Sequence, residues 1–226
     1  MPMGTMELVI DLRDRCGSPL PVLCGPHSES FVIDTAPQAA VMGIHFKPGG
    51  AFPFVPMPAG ELHNLRLCLD TLWGRRATEL RQRLLEAPTP RIRFQILERF
   101  LLAQAVRPLA RHPAVDYALR AFGAESQVST VSAVVEQTGF SQRRFIEVFR
   151  NEVGLTPKLF CRVGRFQRAL QQVHRQPRVD WAAVAVGCGY YDQAHFIHDF
   201  QEFSGLTPTD YLRLRSDHLN HVPLAD

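Results

Sequence analysis

The feature that most constrains this chain is a duplication inside its second half. Gly139-Phe140-Ser141-Gln142-Arg143-Arg144-Phe145-Ile146-Glu147-Val148-Phe149 leads on to Gly154-Leu155-Thr156-Pro157. Gly189-Tyr190-Tyr191-Asp192-Gln193-Ala194-His195-Phe196-Ile197-His198-Asp199-Phe200 leads on to Gly205-Leu206-Thr207-Pro208. Phe145, Phe149, Gly154 and Pro157 recur 51 residues later and Gly139 recurs 50 later, so one residue has been inserted. Chance explains such matches poorly; one supersecondary unit has been used twice.

Each copy opens with a short apolar segment read as a helix, 128–138 in the first and 181–187 in the second. Gly139 and Gly189 supply the backbone freedom for a turn, and Ser141 and Asp192 can cap the next helix by accepting its free N–H groups. The expected unit is helix, tight turn, helix. In its second helix, Phe145 with Phe149 and Phe196 with Phe200 stand four apart and share an inward face. The outward face carries Gln142, Arg143, Ile146, Glu147 and Arg150 in the first copy, and Gln193, Ala194, Ile197, His198 and Gln201 in the second. Thr156-Pro157 and Thr207-Pro208 start new helices with an N-cap and a first-turn proline. The stripe Leu159, Phe160, Val163, Phe166, Leu170 and Val173 predicts one helix over 157–174 joining the copies. Such a helix rises about 27 Å, so with its turns it could hold the two units roughly 34 Å apart, one turn of B-DNA.

Charge sharpens this picture. The net charge is only +3, but residues 126–178 hold nine basic and three acidic groups, whereas 179–226 hold two basic and seven acidic. A basic block suggests a polyanion partner, against the competing account of an arginine-rich solvated surface. With 46% hydrophobic and 21% charged residues the chain is ordinary for a globular protein, which excludes disordered, collagen-like and coiled-coil classes. The longest uncharged apolar run, 181–191, has 11 residues; a bilayer span takes about 20, so no membrane role is expected. Residues 1–6 lack the basic and apolar regions of a secretory signal. Five cysteines, an odd number without a CxxC pair, read as reduced thiols in a cytoplasmic protein.

Thirteen of the 17 prolines lie at or before Pro113, marking the first half as strand and loop rich and the second as helical. The boundary is expected within 108–125, giving domains 1–112 and 113–226. In the first, 6–12, 21–24, 30–33 and 41–46 read as strands, 46–60 as a loop, and 75–86 and 91–106 as helices separated by Pro88 and Pro90. The fold class is therefore α+β: a mixed strand and helix domain, partly barrel-like, followed by an all-α domain with two helix-turn-helix motifs.

On the duplicated motifs quoted above, residues 126–215 resemble the DNA-binding domain of the AraC/XylS family of bacterial transcription regulators. The resemblance implies seven helices with two helix-turn-helix motifs and sequence-specific binding of double-stranded DNA; the acidic balance of the second copy adds the expectation that it could face a protein such as RNA polymerase. Residues 7–112, with Phe46-Lys47-Pro48-Gly49-Gly50, Pro58-Ala59-Gly60-Glu61-Leu62 and Leu72-Trp73-Gly74, more loosely resemble the sensory domain of one subset. That implies a regulatory or oligomerisation domain, with a homodimer as one form of assembly; by composition, the loop 46–60 and the apolar strand faces could line a pocket for a small-molecule effector. There are departures. The family commonly has arginine where Glu147 stands, basic residues at His198 and Gln201, and alanine at Val135, as at Ala185. Its sensory domain also begins further upstream of the first strand, which leaves the completeness of this one open.

Under this reading Gln142 and Arg143 reach base edges, Arg144 and Arg150 hold phosphates, and Ile146 shares their face. Glu147 could accept from cytosine, although pairing with Arg143 one turn earlier is favoured. Gln193, Ala194 and His198 take the corresponding positions in the second copy, whose acidic balance predicts a weaker grip on phosphate. The first unit would anchor, and the second would add little or face a protein. No metal or cofactor is expected, because Asp199 is read as lying on a different helix face from His195 and His198. Cys24, His27, His45, His63 and Cys68 could gather, but show no HxH or HExxH spacing. An enzyme is not expected. The alternatives are a DNA-repair alkyl transferase or hydrolase carrying such a module, recognisable by dependence on Cys24 or Cys68, and a truncated regulator that makes only protein contacts.

Overall fold

The computed structural model describes residues 1–13, 21–33, 40–123, 130–174, 176 and 178–223. Three strands expected from short β-branched or aromatic runs are present: β1 (Glu7–Asp11), β2 (Val22–Cys24) and β3 (Val41–His45). The stretch 30–33 forms no strand; Phe31 and Val32 are exposed, so no buried face pays for extending it. A short strand not foreseen, β4 (Arg66–Cys68), completes an antiparallel sheet of order β3-β1-β2-β4. Among the described residues this sheet is open, with β3 and β4 at its edges, so the barrel-like expectation is corrected to a four-stranded sheet.

Leu8 sits opposite both Leu23 and Ile44, and Ile10 opposite Met42. Leu8 and Ile10 are fully buried beneath the helices that follow. α1 (Leu69–Trp73) was also unforeseen; α2 (Arg75–Glu86) has the expected bounds, and α3 (Pro90–Gln104) begins on Pro90 with Thr89 as its cap. Leu80 and Leu84 of α2 and Leu97 and Leu101 of α3 join Leu8, Ile10 and Leu62 in one core. The stretch 46–60 contains short 3-10 turns, Phe52–Phe54 and the start of Ala59–Leu62, because prolines set φ there while leaving room for single turns.

The second half is helical: α4 (Pro113–Gly123), α5 (Val131–Thr138), α6 (Gln142–Val153), α7 (Pro157–His174), α8 (Trp181–Gly187), α9 (Gln193–Ser204) and α10 (Pro208–Leu214). α5 starts at Val131, not 128, because Thr130 is extended and caps it by accepting from the Ala133 N–H; 128 and 129 lie outside the described residues. α4, α5 and α6 share a core of Val115, Val134, Phe145 and Phe149. α7 to α10 share another, of Phe166, Val184, Phe196, Phe200 and Tyr211. α7 joins the two by aromatic edges: Phe160 packs on Phe149 at 5.6 Å, and Phe166 on Phe200 at 5.3 Å.

Candidate nucleic-acid interface

The two helix pairs are built alike. α5 ends on Gly139 at φ 70°, the left-handed region where glycine carries no Cβ penalty, and Ser141 caps α6 by accepting from the Arg144 N–H. After α8, Gly189 takes φ 81°, and Asp192 caps α9 by accepting from the His195 N–H at 2.7 Å. Phe145, Phe149, Phe196 and Phe200 are all fully buried. Burial of the phenylalanine face fixes the rotation of each helix and turns the other face outward.

On α6 that face exposes Gln142, Arg143, Arg144, Glu147 and Arg150, with Ile146 half-buried. The favoured Glu147–Arg143 pair does not form. Glu147 instead accepts from Arg144, three residues earlier, at 3.0 Å, which leaves Arg143 without an acidic partner among the described residues. On α9, Gln193, Ala194, His198 and Gln201 are exposed and Ile197 is half-buried. Tyr191, the inserted residue, stands 91% exposed at the entrance to α9, and sequence reasoning passed over it. The insertion itself was the signal.

Arg150 differs from its neighbours. It is exposed, yet its stem lies across the Ala59–Leu62 turn so closely that a Cβ on Gly60 would stand 2.8 Å from its Cγ. Gly154, at φ 95°, backs onto Pro26 and the Ala59 carbonyl. Glu152 is buried and accepts from the His112 N–H at 3.2 Å; desolvation raises its carboxyl pKa above the usual range. The far end of α6 is thus held by the first half of the chain, while its first turns stay open.

One described acid of the last third, Glu202, lies beside the outward face of α9, 3.8 Å from His198. Asp180 and Asp192 cap helices, and Asp199 is buried, accepting from Arg162 of α7 at 2.6 Å with Arg165 at 3.9 Å. Glu202 accepts from the same guanidinium at 2.6 Å, and that hydrogen bond lowers its pKa. Charges counted along the chain as opposite blocks therefore partly cancel inside the α7–α9 contact. The expected separation of Asp199 from the histidines is corrected too: His198, Asp199 and Glu202 bring ligand atoms within 4.8 Å of one another. Arg162 already supplies the cation to both carboxylates.

The first-half residues Cys24, His27, His45, His63 and Cys68 form no such group among the described residues. His63 accepts or donates at Ser28 Oγ, 2.8 Å away, and His45 pairs with Glu7. Cys24 is buried and its thiol pKa is raised by desolvation, the opposite of an activated nucleophile.

Two helices thus meet across a glycine turn, twice, on buried phenylalanines. Residues 134–214 match the family described as a helix-turn-helix domain. Residues 1–68 match a domain of unknown function, DUF6597. An uncharacterized HTH-type transcriptional regulator of Haemophilus influenzae is 28% identical over 81 residues, 36% of this chain and 27% of the relative. The chain thus spans about a quarter of the length of that curated relative. No solved structure matches. The matched segment takes in α6 and α9 with all nine candidate residues, Gln142 through His198. Among the described residues, no helix is long and apolar enough to cross a membrane.

Proposed function

We propose that this chain is a sequence-specific DNA-binding transcription regulator that inserts two helix-turn-helix units into successive turns of the major groove. One observation carries the reading. The helix-turn-helix domain exposes Gln142 and Arg143 in the first turn of α6, Arg143 without an acidic partner among the described residues, while the phenylalanines behind them are buried. Arginine donates in pairs to guanine O6 and N7, and glutamine pairs with adenine. Arg144 and Arg150 hold phosphates from the flanks, with Ile146 and Glu147 lining the same face.

Gln193, Ala194 and His198 take the equivalent role in the second unit, with less affinity because they bring no permanent positive charge. That unit adds contacts or faces a protein such as RNA polymerase. The first half, 1–112, is the regulatory part, acting on the 113–226 part through a small-molecule effector or a homodimer contact. Selection of bound sequences from a random duplex library tests the reading. Two preferred blocks about ten base pairs apart support two inserted units. One block supports anchoring by the first unit alone, and no enrichment overturns DNA recognition.

A further inference from the structure

The second helix pair carries a residue with no counterpart in the first. Gly139-Phe140-Ser141 leads straight into α6, whereas Gly189-Tyr190-Tyr191-Asp192 precedes α9. The two tyrosines behave oppositely. Tyr190 is buried, in T-shaped contact with Phe196 and His195 at 5.3 Å each and with the Arg165 guanidinium over its ring, so it takes the inward place that Phe140 has in the first copy. Tyr191 is the most exposed large hydrophobic side chain among the described residues, and its hydroxyl has no hydrogen-bond partner among them. Yet its backbone is held on both sides. The Tyr190 N–H donates to the Ala185 carbonyl at 2.9 Å; Asp192 accepts the His195 N–H on its side chain at 2.7 Å and the Phe196 N–H on its carbonyl at 3.2 Å. Tyr191 is thus fixed at the entrance to α9, two residues before Gln193, and with two χ angles its ring costs little entropy to order.

The charge of α9 says what such a residue is for. The helix contains no lysine or arginine, His198 stands 3.8 Å from Glu202, and the nearest acid in sequence, Asp192, spends its carboxylate on the cap. A helix of this kind grips a nucleic-acid backbone through neutral donors, and tyrosine hydroxyls are among the groups that donate to phosphate. The N-terminal end of a recognition helix is the end that enters the groove, so a residue just before it meets the groove's edge. We propose that Tyr191 is a DNA-backbone contact, its hydroxyl donating to a phosphate oxygen and its ring lying against the neighbouring deoxyribose. The proposal rests on the DNA-binding reading above and adds the residue by which the second unit holds the duplex.

Titration of the full chain with the tightest labelled duplex from the random-library selection tests the contact. Tyr191→Phe removes the hydroxyl alone and should weaken binding roughly three- to tenfold. Tyr191→Ala removes the ring as well and should weaken it further. Neither variant should change the preferred bases, because phosphates carry no sequence information, nor the slope of log K against log salt, because a neutral donor releases no counterions. Urea midpoints should stay at the parent value, since the side chain is exposed. The contact is overturned if Tyr191→Phe binds as the parent does, if either variant flattens the salt slope, or if the preferred bases change. Unaltered duplex binding by Tyr191→Ala would assign the exposed ring to a protein partner instead. A parent chain that selects no duplex sinks the DNA-binding reading and this contact with it, whereas a parent that binds no better than Tyr191→Phe sinks the contact alone.

Discussion

The first and second helix pairs share a plan yet are held in place by different neighbours. The first is buttressed at the end of α6 by the Ala59–Leu62 turn and Pro26, where Arg150 lies, and leaves Arg143 and Arg144 at the front. The second is braced from behind by Arg162 of α7, which ties down Asp199 and Glu202. Duplication preserved the caps, the glycines and the phenylalanines. It did not preserve electrostatics, because exposed positions answer to whatever lies beside them.

Twin glycines give the sharpest way to break this comparison. Among the described residues Gly205, at φ 72°, has only Ser30 Oγ nearby, 3.7 Å from where a Cβ would stand, whereas Gly154 would drive its Cβ into the Pro26 ring. Gly205→Ala should cost about 1–2 kcal/mol for the left-handed backbone, and Gly154→Ala about 2–5 kcal/mol once overpacking adds. Equal urea midpoints would show that the first half does not buttress α6.

Arg162→Met should be next in size. It leaves the buried Asp199 carboxylate with only the longer Arg165 contact at 3.9 Å as an arginine partner, at a cost of about 2 kcal/mol or more, short of the 3–5 of a fully enclosed pair because Arg165 remains and Glu202 stays half in water. Arg144→Met breaks only the exposed Glu147 pair and should cost less than about 1 kcal/mol. Denaturation curves that reverse this order would undo the assignment of bracing to α7.

On duplex DNA, Arg143→Ala should lose about 1–3 kcal/mol of discrimination at one base pair, and His198→Ala distinctly less. Titration of labelled duplex reads both variants, and matching losses would make the two units equivalent.

The smallest contrast is in pH. Glu202 has its pKa lowered by Arg162, so it contributes stability above the ordinary carboxylate range that is lost as pH falls through the folded value. Glu152 has its pKa raised by burial, so its ionisation opposes folding and that penalty lifts as pH falls. Glu202→Gln should therefore flatten the acid side of the stability profile, and Glu152→Gln should steepen it. Parallel profiles for the two variants would show that these carboxyl groups are not set by the neighbours named here.

Much of the helical half was legible because its signals are local. Caps at Ser141, Asp192 and Thr207, glycines after helices, and the stripe that predicted 157–174 all act within a few residues, and α7 and α8 have the expected bounds. The first half was less legible. β4 is three residues long and α1 five, too short for a period to emerge, and both exist through pairing with β2 and packing of Leu69 in the core. Glu147 was assigned the wrong arginine because residues three and four apart are near-equivalent neighbours on a helix.

The amino-acid order alone determined that two capped helix pairs form and which face of each turns outward, since capping and amphipathic burial are decided within one or two turns of chain. Only tertiary structure decided where the charges are spent. Arg162 finds Asp199 and Glu202 across 37 and 40 residues, and Arg150 comes to rest on Gly60. Electrostatic energy depends on distance and burial, which position along the chain does not encode.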